Sequence, residues 1–179
     1  MKNKRTVLTL ILFALTVIAY SQQNNAESDF QIEWDSNVKG GVMITKYTGS
    51  RQTVGIPPSI QNYPVTGIGK EVFAKNTRIT GVTIPDSVKS IGEGAFGQCT
   101  SLTSITIPNG VIGIGDGAFA GCTKLTSVIF QGTITSGNLD NQAFGIGSES
   151  SIGDLRAKYL AGGAGTYTRF ANGQVWMKQ

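Results

Sequence analysis

Ile84-Pro-Asp-Ser-Val-Lys-Ser-Ile-Gly-Glu-Gly-Ala-Phe-Gly-Gln-Cys-Thr-Ser-Leu102 is answered by Ile107-Pro-Asn-Gly-Val-Ile-Gly-Ile-Gly-Asp-Gly-Ala-Phe-Ala-Gly-Cys-Thr-Lys-Leu125. Phe96 and Phe119, Cys99 and Cys122, and Leu102 and Leu125 are each 23 residues apart. A strict period of this size marks a solenoid, in which each repeat buries its apolar edge only by stacking on its neighbours. The expected fold is therefore a repeat solenoid, mainly β with short helical or irregular turns.

Worn copies flank the two good ones. Ile68-Gly-Lys-Glu-Val-Phe73 repeats Ile91-Gly-Glu-Gly-Ala-Phe96, with Asn76 in the cysteine column and Ile79 in the leucine column. Ile56-Pro57 precedes Ile84-Pro85 by 28 residues, so five extra residues fall around Asn62 to Thr66. Downstream, Phe130 stands for Ile107 and Ile134 for Val111; Ala143-Phe144 follows Ala118-Phe119 by 25, with the two extra residues near Ser136 to Asn138. The array spans 51–146, about three and a half coils.

Val82-Thr-Ile84, Ile105-Thr-Ile107 and Val128-Ile-Phe130 alternate with period two and read as strands. Pro85 and Pro108 end them, lacking the N–H the next ladder bond needs. Gly92, Gly94, Gly115 and Gly117 suit a sharp turn before Ala-Phe, and Phe73, Phe96 and Phe119 are expected to stack inside. At the ends, residues 30–50 read as a capping hairpin, Phe30–Trp34 with Val42–Tyr47 through Gly40-Gly41. Residues 147–179 read as a second cap. It comprises a helix over Leu155 to Ala161 behind Asp154, then a hairpin of Thr166–Phe170 and Gln174–Met177 through Asn172-Gly173. Such caps are needed because an open terminal strand templates aggregation.

The N-terminus argues for export. Lys2, Lys4 and Arg5 precede an apolar run from Val7 to Ala19, and Ala19-Tyr-Ser21 is a small-x-small cleavage site. Residues 1–21 thus read as a signal peptide, the run being shorter than the ~20 residues of a spanning helix. Residues 22–29 read as a flexible leader. No cysteine beside the cleavage site offers a lipid attachment point, and Gly173 to Gln179 is neither an apolar tail nor a sorting motif. The expected location is secreted, cell-surface or periplasmic, with any surface attachment non-covalent. Processing removes three basic residues and no acidic one, so 15 basic residues become 12 against 11 acidic, and the net charge falls from +4 to +1. No basic block remains for nucleic acid or an anionic membrane.

The chain has no histidine, which removes Ser-His and Cys-His nucleophile pairs and histidine metal sites. Glu93 and Asp116 occupy equivalent columns and would stack one coil apart. They are a solvated rim or, given a cleft, a carboxylate pair. Cys99 and Cys122 share a column at a spacing compatible with a disulfide, and both a bridge and two buried thiols stay open. The glycine pairs recur with the coil and lie in no βαβ unit, so they are backbone devices. No catalytic, cofactor or metal residues are assigned.

The pattern I-P-x-x-V-x-x-I-G-x-G-A-F-x-x-C-x-x-L, with Leu102-x-x-Ile105-x-Ile107, resembles the BspA-like leucine-rich repeats of bacterial surface antigens. It departs from the common leucine-rich repeat, which has an Asn after the strand where Ser87 and Gly110 stand here. The resemblance implies a right-handed leucine-rich-repeat solenoid with capping hairpins, export, and adhesive binding to matrix proteins or cells. It also suggests cysteines packed as small hydrophobes.

The remaining functional candidate is the outward strand face. Thr83, Ser104, Thr106, Ser127 and Ile129 form a small, uncharged, hydroxyl-rich strip. It is either plain strand propensity or a hydrogen-bonding surface for a protein or glycan. The reading is an exported, non-enzymatic binding protein whose partner is an extracellular-matrix or envelope protein or a glycan. The alternative is a structural or assembly component of the envelope.

Overall fold

The computed structural model describes residues 24–145, 154–170 and 175–179. The expected signal peptide lies outside these residues, as does the Asn172-Gly173 link. The strands are β1 Phe30–Trp34, β2 Val42–Tyr47, β3 Thr53–Gly55, β4 Ser59–Ile60, β5 Tyr63–Ile68 and β6 Gly81–Thr83. They continue as β7 Ser90–Ile91, β8 Ser104–Ile107, β9 Gly113–Ile114 and β10 Ser127–Phe130, then helix α1 Asp154–Gly162, β11 Gly165–Thr168 and β12 Met177–Lys178.

These elements wind into a β-solenoid of about four turns. One face stacks β3, β6, β8 and β10 in parallel and continues antiparallel into β11 and β12. The other stacks β2, β5, β7 and β9 in parallel, with β1 antiparallel against β2 and Leu139 bridging Ile114. The register is the sequence period itself: Gly81 lies beside Ser104 and Ser104 beside Ser127. Thr53 lies beside Gly81, a step of 28, and the five extra residues are accommodated by an antiparallel β4–β5 hairpin. Its two turn residues, Gln61 and Asn62, have φ of 53° and 66°, the positive values that a two-residue I′ turn needs.

The third edge of each coil is the Ala-Phe turn, where Phe73, Phe96 and Phe119 donate their N–H to Ala95, Ala118 and Ala143 of the following coil. Phe73, Phe96, Phe119 and Phe144 stack with centroids 4.9, 5.1 and 4.9 Å apart, close to the strand spacing that sets the rise per coil. Tyr47 and Phe30 extend this column toward the N-terminus; Phe130, Tyr159 and Tyr167 close it at the other end.

The turn glycines answer two separate demands. Gly94 and Gly117 have φ of 57°, whereas a Cβ on Gly92 or Gly115 would meet backbone of the preceding coil at 2.8 Å. All four lie in the turn before Ala-Phe, as expected, since the Ala95 and Ala118 N–H groups donate to Gly92 O and Gly115 O.

The flexible leader is also corrected from Asn24 onward. Asn25 is 4% exposed; its N–H donates to Gly55 O, and its Oδ1 accepts the Gly55 N–H. Its Nδ2 donates to Asp29 and to the Tyr47 hydroxyl. Asn25 therefore occupies the place of a missing strand on the open edge of β3, which a mobile segment could not do. At the other end Arg169 donates to the carbonyls of Leu125, Cys122 and Thr123 and lies over the Trp176 ring. The Tyr159 hydroxyl accepts from Ile134 N–H and donates to Gly132 O. Side chains thus take over the backbone partners that a further coil would have supplied.

Candidate functional site: the outward strand face

Alternation places Val82, Ile105, Val128 and Phe130 in the core and their neighbours outside. Thr83, Ser104 and Ile129 are exposed, while Thr106 and Ser127 are half-buried. Ser104 lies beside Ser127, and Thr106 beside Ile129. Thr83 joins Thr106 at the wall of a shallow cleft of about 320 Å³, completed by Asp86, Pro108 and Gln131. All five expected residues therefore share one sheet face.

The face is larger than the repeats alone suggest. β11 returns antiparallel along β10 and sets Thr168 beside Ser127 and Thr166 beside Ile129. Gln179 Nε2 donates to Thr168 Oγ1 at 2.7 Å. The signal was present in Thr166-Tyr-Thr168, a period-two segment whose Tyr167 is buried, but only the antiparallel return reveals which face it extends. Serine and threonine hydroxyls dominate this surface, with Asp86 at its margin. It can donate and accept hydrogen bonds, yet exerts little electrostatic steering.

The other chemical candidates are held by ordinary contacts. Glu93 is not paired with Asp116 chemically; Lys70, one coil below in the same column, reaches it at 2.8 Å. That hydrogen bond, and then the charge of Glu93, raises the Lys70 pKa. The pair is more than half exposed on both sides, so its contribution to stability is small. Cys99 and Cys122 are free and buried, and each thiol donates to a carbonyl of the coil before it, Phe73 and Phe96 respectively, at 3.1 Å. Burial pushes the Cys99 thiol up to about 11 and the Cys122 thiol to about 12. A thiol so protonated is a poor nucleophile. Among the described residues, no three His, Cys, Asp or Glu side chains come together as metal ligands.

Stacked short strands, an internal aromatic column and a bare hydroxyl-rich face define a leucine-rich-repeat solenoid, a fold that works by presenting a surface. The sequence model described as the BspA type leucine rich repeat region (6 copies) matches residues 60–152. The chain belongs to that family.

Among solved structures, a leucine-rich cell surface protein from Faecalibacterium prausnitzii is 35% identical over 59% of this chain and 31% of its own, with a TM-score of 0.51. A leucine-rich repeat protein from Bacteroides ovatus is 29% identical over 65% of this chain and 31% of its own, with a TM-score of 0.57. A third, from Bacteroides capillosus, is 33% identical over 58% of this chain and 79% of its own, with a TM-score of 0.50. The matched region spans about a third of the first two proteins. No curated protein matches the chain. Among the described residues, no helix is long and apolar enough to cross a membrane.

Proposed function

We propose that this protein is an exported, non-enzymatic binding protein, adhesin-like, that holds its partner on the outward strand face. The observation that carries the reading is the in-register stack of Thr83, Ser104, Thr106, Ser127 and Ile129, widened by Thr166 and Thr168. The strip is hydroxyl-rich and is carried by paired strands, which suits a hydrogen-bonded protein surface or glycan. The likeness to a cell surface protein and the basic-apolar N-terminus support a location outside the cytoplasm. The absence of histidine and the protonated, buried thiols support a role without catalysis.

The test is binding to immobilised extracellular-matrix proteins and glycans, comparing the natural chain with a Ser104→Lys/Thr106→Lys variant. Saturable binding that the variant loses is expected. Binding that survives the two lysines would remove the strand face from consideration. An absence of binding to the whole panel would favour an assembly role in the envelope.

A further inference from the structure

We propose a second binding site, distinct from the strand face, for a neutral saccharide on the N-terminal cap. Trp34 ends β1 and is 64% exposed; Tyr63 opens β5 and is 41% exposed. Their rings meet edge to face, 4.7 Å between centroids and 75° between planes. They border a cleft of about 350 Å³ completed by Ile32, Val42, Glu33 and Gln61, within the size range of small-ligand sites, about 300–1,000 Å³.

The cleft is built by the one feature that breaks the repeat upstream. The five-residue insertion forms the β4–β5 hairpin, and its turn brings Gln61 and Tyr63 to the cap. Gln61 holds a left-handed conformation, φ 53°, which costs a side-chain-bearing residue energy unless its surroundings over-determine it. Here Gln61 N–H donates to Glu27 Oε2 at 2.9 Å. A strained turn pinned from a second segment presents an exposed aromatic pair, while the other aromatic rings in contact along the core column lie inside.

The chemistry of the lining selects the ligand. A sugar ring carries C–H bonds on its faces and hydroxyls round its rim. Tyr63 covers at most one side of the indole, leaving an open apolar face for the C–H bonds. The carboxamide of Gln61, at the turn that lines the cleft, can donate to and accept from sugar hydroxyls. A polyproline peptide would want a groove between aromatic ridges, whereas edge-to-face rings leave one platform. Glu27, Asp29, Glu33 and Asp35 outnumber Lys39 and Lys46 between residues 24 and 50, which disfavours sulfated, sialylated or uronic glycans.

The test titrates the purified protein with xylohexaose, cellohexaose and mannohexaose, with a heparin hexasaccharide and decaproline as contrasts, following tryptophan emission. The other tryptophan, Trp176, is buried and supplies a constant background. At least one neutral hexasaccharide should shift the emission saturably. Calorimetry should show affinity falling at least about tenfold in Trp34→Ala and Tyr63→Ala, retained in Trp34→Phe and unaffected by Thr106→Lys. Exposed positions leave the fold intact, which circular dichroism checks. Three results would overturn the site: no response to any neutral sugar, binding that survives both alanine variants, or tighter binding of heparin or decaproline. Loss of sugar binding through Thr106→Lys instead would return the saccharide to the strand face.

Discussion

The rings of Phe96 and Phe119 lie 5.1 Å apart and 5° from parallel, both almost wholly buried. Each ring is a wall of the next coil's cavity, so removing one opens space on two sides. Phe96→Ala is expected to cost about 3–5 kcal/mol, measured by urea denaturation. Phe144→Ala should cost less than Phe96→Ala, because Phe144 is 6% exposed and stacks on only one of the repeat phenylalanines. A cost at Phe96 equal to that of an exposed substitution would deny that the column carries the coil.

The thiols of Cys99 and Cys122 are pushed above the ordinary value of 9.0, to about 11 and about 12, chiefly by burial. A raised folded-state value favours the neutral thiol in the native protein. The stability it contributes is therefore fully present below pH 9 and is lost as pH rises toward 11 and 12. Measured against a Cys99→Ala/Cys122→Ala variant, the natural chain should lose relative stability in that alkaline window. Iodoacetamide at pH 8 should label neither thiol in the native protein and both in denaturant.

Three columns of the repeat test the backbone. Glu71, Gly94 and Gly117 have φ of 55°, 57° and 57°, and Lys75, Gln98 and Gly121 have 60°, 59° and 72°. Gly94→Ala should cost about 1–2 kcal/mol, the left-handed penalty. Gln98→Gly removes that penalty against the added chain entropy of glycine, for a net gain of about 0–1 kcal/mol. Gly92→Ala fails for another reason: its Cβ would sit 2.8 Å from the Gly69 carbonyl carbon, and two backbones would have to part. Thermal melts of the three variants should rank Gln98→Gly highest.

The coil was legible because equal spacing of Phe96 and Phe119 and of Cys99 and Cys122 leaves few structures but a stack. The strand face was legible because period two separates Thr106 from Ile105 and Ile107. The N-terminal cleft was not. Trp34 and Tyr63 meet only because β1 pairs antiparallel with β2 and β2 parallel with β5, relations that no local pattern encodes. Thr166 and Thr168 were hidden for the same reason, since a returning strand can lie on either side of its neighbour. Asn25 looked like polar leader because the backbone groups it satisfies belong to Gly55, thirty residues away.

That last contact gives the sharpest test of the N-terminal closure. Asn25 supplies both a backbone donor and a side-chain acceptor to Gly55, and its amide ties Asp29 and Tyr47 to the same point. Asn25→Ala leaves the buried Gly55 N–H without that acceptor, a loss expected to cost about 1–3 kcal/mol. It also loosens the cover over β3, and an uncovered strand edge recruits other chains. The variant should therefore show both a lower denaturation midpoint and concentration-dependent light scattering. Gln31→Ala, at an exposed position of β1, should show neither. Lower stability without scattering would mean that Asn25 contributes hydrogen bonds alone; scattering would identify it as the residue that closes the sheet.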